Sequence, residues 1–182
     1  FLLKLKNNDF EPCILRFGTA YGLSPRMRFD LLVQEFLRDA IVEKKISIFG
    51  ADFWRPLVNV KDMSEACILA IKGDKKTISG EIFNVGSDKE NFTKRELANY
   101  IKKKIPETKI EIITIREDPR NYRVSFEKIE KKLMFTTKET VQESIDEMLK
   151  EIISGKIDPR DTEFSNISKL TQNIKIFESY SM

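Results

Sequence analysis

Residues 49–62 read FGADFWRPLVNVKD and combine a glycine turn, two aromatic rings, one arginine and the start of a helix. Ile46 to Phe49 are predicted to form a strand that runs into this turn, and an extended segment and then a helix leave it. Proline disfavours the helical region for the preceding residue, so Arg55 is predicted to lie in extended backbone. Its planar guanidinium suits a phosphate better than a lysine does. Alternatively, Arg55 only stacks on Trp54 at the surface, and local spacing leaves both interpretations open.

The composition is that of a globular chain of 182 residues, 41% hydrophobic and 34% charged, which is long enough for one domain with a proper core. The net charge of +3, from 32 basic and 29 acidic residues, is too balanced to indicate a nucleic-acid partner by itself. The chain has no histidine, which excludes Ser-His-Asp triads, Cys-His pairs and histidine zinc sites, and no metal site is predicted.

The predicted location is the cytoplasm, without membrane association. No apolar run approaches the roughly 20 residues that cross a bilayer, and the start of the chain does not resemble a signal peptide. Cys13 and Cys67 both lie in apolar runs, which favours buried thiols in a reducing compartment over a disulfide.

Short apolar runs alternate with amphipathic segments along the chain, which predicts an α/β fold with a parallel sheet. We predict strands at 12–17, 46–49, 81–85 and 109–115. We predict helices that begin at Asp30, at Asp62 with Glu65 in a capping box, at Thr93 with Glu96 in another, at Ser125, and at Thr136 with Glu139.

Two loops are candidate sites. Gly18 to Gly22 directly follow the first strand, and ligands of open α/β sheets lie just past the carboxyl ends of strands. Arg116 to Arg123 hold three arginines, two carboxylates and a tyrosine, which makes this loop a second candidate anion site. For the first loop, an ordinary connection with turn glycines is the simpler interpretation.

Four segments resemble motifs of the extended short-chain dehydrogenase/reductases, the NAD-dependent epimerase/dehydratase family. Residues 15–22, LRFGTAYG, resemble its LR(Y/F)xNxYG segment, and residues 48–62 resemble its (V/I)xG…Rx(F/L/Y)(V/I)xVxD segment. Residues 83–97, which begin FNVGS and contain Thr93 and Glu96-Leu97, are similar to its (F/Y)NVG…T…EL stretch. Residues 118–129, with DPRNY and then Lys128-Ile129, resemble its DxRxY…KI segment. The segments lie in the family's order.

The resemblance implies an α/β fold: the C-terminal part of a Rossmann-type parallel sheet plus the smaller α/β substrate-binding domain, with the N-terminal cofactor-binding half absent. Residues 1–24 would hold the end of the catalytic helix, a late Rossmann strand and the site loop. Residues 25–155 would form the substrate-binding region, interleaved with the last Rossmann strand and helices. Residues 156–182 would be a C-terminal tail.

The chain departs from the family pattern in its cofactor and catalytic motifs. It has no Gly-rich phosphate turn, and its one Tyr-x-x-x-Lys match, Tyr100 to Lys104, lies at a predicted helix end and is interpreted as coincidence. In the family, a helix carries the catalytic tyrosine and, four residues later, a lysine. Phe1 to Lys6 lie where that helix would end. We therefore assign no catalytic residue to this segment, expect it to be inactive alone, and expect NAD or NADP to be bound mainly by a preceding half. The resemblance also implies a nucleotide-diphosphate sugar as substrate and a homodimer in the full-length protein.

Carried over residue by residue, the resemblance implies a set of substrate-binding residues: Thr19, Leu31, Gln34, Ser47, Phe49, Arg55, Asp118 and Arg120. Arg55 and Arg120 would clamp the diphosphate, and Asp118 would orient Arg120 or bond the ribose. Ser47 and Phe49 would line the base pocket, and Leu31 to Gln34 would touch the nucleotide. Thr19, where the family commonly has Asn, would lie near the sugar and nicotinamide, with Gly18 beside the cofactor.

Two alternatives stay open. A chain without the Tyr/Lys pair is also compatible with a non-catalytic nucleotide-sugar-binding or regulatory protein of the same fold. The basic runs Lys102 to Lys104 and Arg116 to Arg123 would instead serve a nucleic-acid-binding module, although cations in the last turn of a helix also suit its dipole.

Overall fold

The computed structural model describes residues 1–114 and 120–166 as a mixed α/β chain. Its strands are β1 (Ile14–Phe17), β2 (Thr19–Tyr21), β3 (Lys45–Phe49), β4 (Trp54–Asn59), β5 (Ile82–Val85), β6 (Asn91–Thr93) and β7 (Lys109–Ile113). Its helices are α1 (Leu32–Val42), α2 (Val60–Lys72), α3 (Lys75–Ile78), α4 (Lys94–Lys104), α5 (Glu127–Leu133) and α6 (Val141–Ile153). Short 3-10 turns cover Leu2–Leu5, Asp88–Glu90 and Thr162–Phe164. No helix in the described ranges is long and apolar enough to cross a bilayer.

The strands form three small sheets. β1 pairs in parallel with β5, and β3 pairs in parallel with β7. β4 is the middle strand of the third sheet, parallel to β2 and antiparallel to β6. The predicted parallel pairing is thus confirmed. The first strand is exposed at its end, at Arg16 and Phe17.

The strand β4 lies between two hydrophobic clusters. Leu57 belongs to a larger cluster with residues of α1, α4 and α6, whereas Val58 belongs to a smaller one with Phe83, Val85 and Phe126. Successive side chains of a strand point to opposite faces, so one strand can serve both clusters. Residues 54–59 therefore contribute to both clusters.

Gly18 lies where the chain leaves β1 and enters β2, and so passes from one sheet to another. Its N–H donates to the Val85 carbonyl, at 3.2 Å. A Cβ at this position would lie 3.0 Å from the Pro56 carbonyl oxygen, which is backbone and cannot swing away. The close approach of β4 thus leaves room only for glycine here.

One of the predicted helix starts is confirmed with both of its predicted capping residues. Thr93 caps α4, and Glu96 completes the capping box with the Thr93 backbone. The predicted cap at Asp30 is wrong: its carboxylate accepts from Arg28 at 2.6 and 2.9 Å, and α1 begins after Leu31 without a side-chain cap. Both carboxylate oxygens of Asp30 therefore accept hydrogen bonds from the Arg28 guanidinium and do not cap the helix.

The predicted caps at Asp62 and Thr136 are both wrong, for one shared reason. Asn59 caps α2, and the buried Asp62 carboxylate instead accepts from the N–H groups of Lys138, at 3.0 Å, and Glu139, at 3.2 Å. Those two residues are held outside a helix, so α6 begins only after Thr140, which forms a capping box with Glu143.

The cysteines differ in exposure. Cys13 is half-buried and Cys67 is exposed, so the predicted core position of Cys67 is wrong, and both thiols are free. The predicted C-terminal tail is described only to residue 166, and there Phe164 packs edge-on against Phe29, with ring centroids 6.0 Å apart.

We predict that Asn59→Ala destabilises the fold. Asn59 is fully buried; its Oδ1 accepts from the Lys61 N–H at 2.8 Å, and its Nδ2 donates to the Ser144 hydroxyl at 2.8 Å. Loss of a cap and an unpaired buried hydroxyl should lower the free energy of unfolding by about 1–3 kcal/mol, as measured by urea titration. Asn99→Ala, at an exposed position of α4, is the matched control. Equal urea midpoints for both variants would contradict this role.

Candidate functional site

Arg55 lies in β4, directly before Pro56, in the extended backbone that the sequence predicts. The residue is buried, with 7% of its surface exposed. Nη1 donates to the Trp54 carbonyl at 2.8 Å and to the carbonyl of Arg120. The Trp54 ring instead stacks with Arg123, whose guanidinium carbon lies 4.3 Å from the ring centroid. Surface stacking of Arg55 on Trp54 is therefore wrong.

Residues 120–126, which we call the strap, cross from the Arg55 side chain to α5 without helix or strand structure. Groups from three other parts of the chain form hydrogen bonds with the strap. The Trp54 N–H donates to Asn121 Oδ1 at 3.0 Å, Asn84 Nδ2 donates to the Ser125 carbonyl at 3.3 Å, and the Phe126 N–H donates to Asp88 Oδ1 at 2.8 Å. The strap is thus fixed along its length.

A cavity of about 200 Å³ lies under the strap, at the carboxyl ends of β1 and β5. Its walls are Arg16, Phe17, Gly18, Pro56, Asn84, Tyr122, Val124 and Phe126. Ligands of open α/β sheets lie at this end of the strands. The volume is below the ~300–1,000 Å³ of typical ligand clefts, so the cavity suits one part of a larger ligand.

The structure brings together Arg55, Arg120 and Gly18 of the predicted site. Arg55 bonds the Arg120 backbone, its guanidinium carbon lies 5.9 Å from the centre of the Tyr122 ring, and Tyr122 and Gly18 share the cavity wall. Thr19 follows in β2, opposite Leu57 and outside the cavity wall.

Of the predicted site residues that the structure describes, Gly18 alone lines this cavity. Ser47 and Phe49 lie on β3, beside β7. Phe49 is 40% exposed, and its backbone carbonyl accepts from Lys94 Nζ at 2.8 Å. Leu31 precedes α1, and Gln34, on its first turn, is 3% exposed with Oε1 lacking a hydrogen-bond partner. Asp118 lies outside the described residues.

Several residues of this site were not predicted from the sequence. Tyr122 and Asn121 were in the quoted DPRNY motif, yet only its arginine and aspartate were assigned. Phe126 and Asn84 gave no separate indication, because each reaches the cavity through tertiary packing. Arg123 was recognisable only as part of an arginine-rich loop.

Tyr100 and Lys104 lie away from the cavity, on α4. Both contact Asp146 of α6: the Tyr100 hydroxyl at 3.5 Å and Lys104 Nζ at 2.7 Å. This arrangement is an ion pair with a hydroxyl beside it at the surface. Within residues 1–114 and 120–166, no group of three His, Cys, Asp or Glu side chains is placed to hold a metal ion.

Tyr21, from the predicted site loop, faces a buried carboxyl group. Its hydroxyl lies 3.1 Å from Glu90 Oε2 and 3.1 Å from the Glu139 carbonyl, and Glu90 Oε2 also accepts from the Val141 N–H at 3.1 Å. Burial raises the pKa of Glu90 to about 7, and burial together with Glu90 raises the pKa of the Tyr21 hydroxyl. Tyr21 therefore joins β2 to the start of α6 and is not poised as a base.

Comparison with known proteins supports the resemblance. Residues 4–86, somewhat less than half of the chain, match the model of the family described as "NAD dependent epimerase/dehydratase family". The family resemblance of the sequence motifs is thereby confirmed.

Solved structures show the same fold. UDP-glucuronic acid 4-epimerase from Bacillus cereus matches with a TM-score of 0.69 at 20% identity, over 81% of this chain and 47% of that one. UDP-glucose 4-epimerase from Thermotoga maritima matches with a TM-score of 0.69 at 21% identity, over 82% and 48%. dTDP-glucose 4,6-dehydratase from Bacillus anthracis matches with a TM-score of 0.65 at 22% identity, over 85% and 46%. The chain thus spans about half the length of these structures, and the predicted partial Rossmann-type α/β fold is confirmed.

We predict that Glu90 makes stability depend on pH. With its pKa raised from 4.5 to about 7, Glu90 binds its proton more tightly in the folded chain than in the unfolded one. Its contribution is therefore fully present below pH 4.5 and is lost as the pH rises through about 7. The loss is at most about 3 kcal/mol, because one pKa unit corresponds to about 1.4 kcal/mol.

The measurement is the difference in free energy of unfolding between wild type and Glu90→Gln across this pH range. The wild type should lose stability relative to the variant as the pH rises, whereas Glu130→Gln, at an exposed position of α5, should follow the wild type. A wild type that gains stability relative to Glu90→Gln would contradict the assigned direction.

Proposed function

We propose that this chain is the substrate-binding portion of an NAD(P)-dependent nucleotide-sugar epimerase or dehydratase. The observation that carries the proposal is the bond from Arg55 to the Arg120 backbone, beside a cavity at the ends of β1 and β5. Arginine forms charge-assisted, often bidentate bonds with phosphate groups, and the adjacent cavity suits a sugar. The cited relatives include enzymes solved with UDP-glucuronic acid and UDP-glucose, which are ligands of this class.

We propose that NAD or NADP is held mainly by residues outside this sequence. When bound, NAD or NADP accepts and returns a hydride in enzymes of this family. A cavity of about 200 Å³ is too small for a whole dinucleotide, and the sequence has no Gly-rich phosphate turn. We propose that Phe17 and Gly18 offer one wall beside the nicotinamide, while the remaining contacts and the catalytic pair come from a preceding half. The chain alone would then bind nucleotide sugar without turning it over, in a cytoplasmic protein that forms a homodimer.

The alternatives make different predictions. A non-catalytic relative would bind the nucleotide sugar in its full-length form but would not turn it over. A nucleic-acid-binding module would need a free basic face, whereas Lys104 of the run at the end of α4 is paired with Asp146. We therefore favour the nucleotide-sugar enzyme.

The test of the ligand class is a thermal-shift screen of the natural full-length protein with UDP-, GDP-, CDP- and dTDP-sugars. A ligand present at 100 times its Kd stabilises the folded state by about 2.7 kcal/mol, so one of the four should raise the Tm by several degrees. Inorganic phosphate at the same concentration is the control. A Tm that none of the four raises above the phosphate control would contradict the proposal.

We predict that Arg55→Lys weakens nucleotide-sugar binding and leaves the content of bound NAD unchanged. Lysine keeps the charge but cannot bond the Trp54 and Arg120 carbonyls and present a planar fork at once. Loss of charge-assisted bonds worth on the order of 1.5–3 kcal/mol corresponds to a Kd raised roughly 10- to 100-fold, measured by calorimetry.

The matched control is Arg95→Lys. Arg95 is half-buried and holds Asp52 through two bonds of 2.7 and 3.0 Å, away from the cavity. The Kd of the Arg95→Lys variant for the nucleotide sugar should stay within about twofold of the wild-type value, since surface ion pairs contribute little. Loss of NAD from Arg55→Lys with unchanged nucleotide-sugar affinity would refute the assignment.

A further inference from the structure

Asn91 bonds one strap residue as a neighbouring β-strand would. Its Oδ1 accepts from the Val124 N–H at 3.1 Å, and its Nδ2 donates to the Val124 carbonyl at 3.1 Å. Nδ2 also donates to the Asp88 carbonyl at 3.1 Å. The residue is only 8% exposed, so these bonds are shielded from water. A single carboxamide thus satisfies both backbone groups of Val124.

The position of Asn91 in the fold connects this anchor to Arg55. In the antiparallel pairing of β4 with β6, Asn91 stands opposite Pro56, and Arg55 stands opposite Phe92. The pairing of β4 with β6 therefore carries two of the residues that hold the strap: Arg55 bonds it at Arg120, and Asn91 bonds it at Val124. Tyr122 and Arg123 lie between these two points.

The two attachment points of the strap require different hydrogen-bonding groups from their partners. Arg55 reaches the strap through its guanidinium, whereas at Val124 the partner must donate and accept side by side. Among side chains of this length only asparagine has a donor and an acceptor on one planar group. Val124 itself lines the cavity, so its position also sets the cavity wall.

We propose that Asn91 is a positioning residue for the diphosphate site. It would hold Val124 in place and thereby keep Arg120 and Tyr122 against Arg55, so that the arginines meet a diphosphate without first ordering the strap. This inference rests on the proposed function, because it assigns Asn91 to the same site.

The experiment compares the wild-type, natural full-length protein with Asn91→Leu, a change that keeps the size of the side chain and removes its hydrogen bonds without adding charge. The affinities of UDP and of uridine are measured by calorimetry or NMR titration. If the screen selects another base, the matching diphosphate and nucleoside are used instead. Exchange of the Val124 amide hydrogen is followed by NMR in the absence of ligand.

The expected result is a split between the two ligands. Asn91→Leu should weaken UDP about tenfold or more and change uridine less than twofold, because the strap presents arginines to the diphosphate and not to the base. Exchange at Val124 should become faster. A general loss of structure would weaken both ligands equally, which would overturn the positioning role. Asn99→Leu, the same change at an exposed position of α4, should leave both affinities as in wild type.

A second variant covers the case in which Asn91→Leu does not fold. Asn121 is exposed, and its Oδ1 accepts from the Trp54 N–H, so Asn121→Ala loosens the strap while leaving the core intact. It should show the same split, with a smaller loss of UDP affinity.

Two failures can be told apart. A wild-type protein that binds none of UDP, GDP, CDP and dTDP overturns the proposed function and this inference with it. A wild type that binds one of them, with Asn91→Leu and Asn121→Ala binding it equally well, overturns the positioning role alone.

Discussion

The site depends on the attachment of an irregular segment to a regular one. The strap has no helix or strand of its own, yet its backbone groups are bonded by side chains of Arg55, Asn84, Asp88 and Asn91. Buried backbone groups must find partners, and here side chains supply them in place of a sheet. Because the partners lie on or beside β4–β6 and β5, the same bonds that satisfy the strap also fix the roof of the cavity.

The regular elements were predictable because their causes are local. The alternation of short apolar runs with amphipathic segments gave the strand and helix order, and the Thr93–Glu96 capping box has the two partners within one turn of helix. The helix starts that failed depend on distant partners. Asp62 is taken by residues 138 and 139, and Asp30 is taken by Arg28 and the Asn166 N–H. The local sequence around a candidate capping residue does not reveal whether its side-chain oxygens accept hydrogen bonds from other parts of the chain.

In the site, too, features with local causes were predictable from the sequence, whereas features that depend on distant partners were not. Arg55 was identifiable because proline sets its backbone and an arginine-rich loop offered it a partner. The Tyr21–Glu90 pair and the anchoring of the strap at Asn91 join residues that are far apart in sequence, so only the fold reveals them. The separation of Tyr100 and Lys104 from the cavity likewise follows from where α4 packs, beside α6.

The claim that Arg55 and Arg120 together bind a nucleotide diphosphate is tested most directly by hydrogen–deuterium exchange. The full-length protein is compared with and without a saturating amount of the tightest-binding of the four nucleotide sugars. We expect slower exchange in residues 45–59 and 120–126, since bound phosphate would hold β4 and the strap together. Slower exchange confined to the surface of α4 and α6, with residues 45–59 and 120–126 unchanged at saturation, would contradict it.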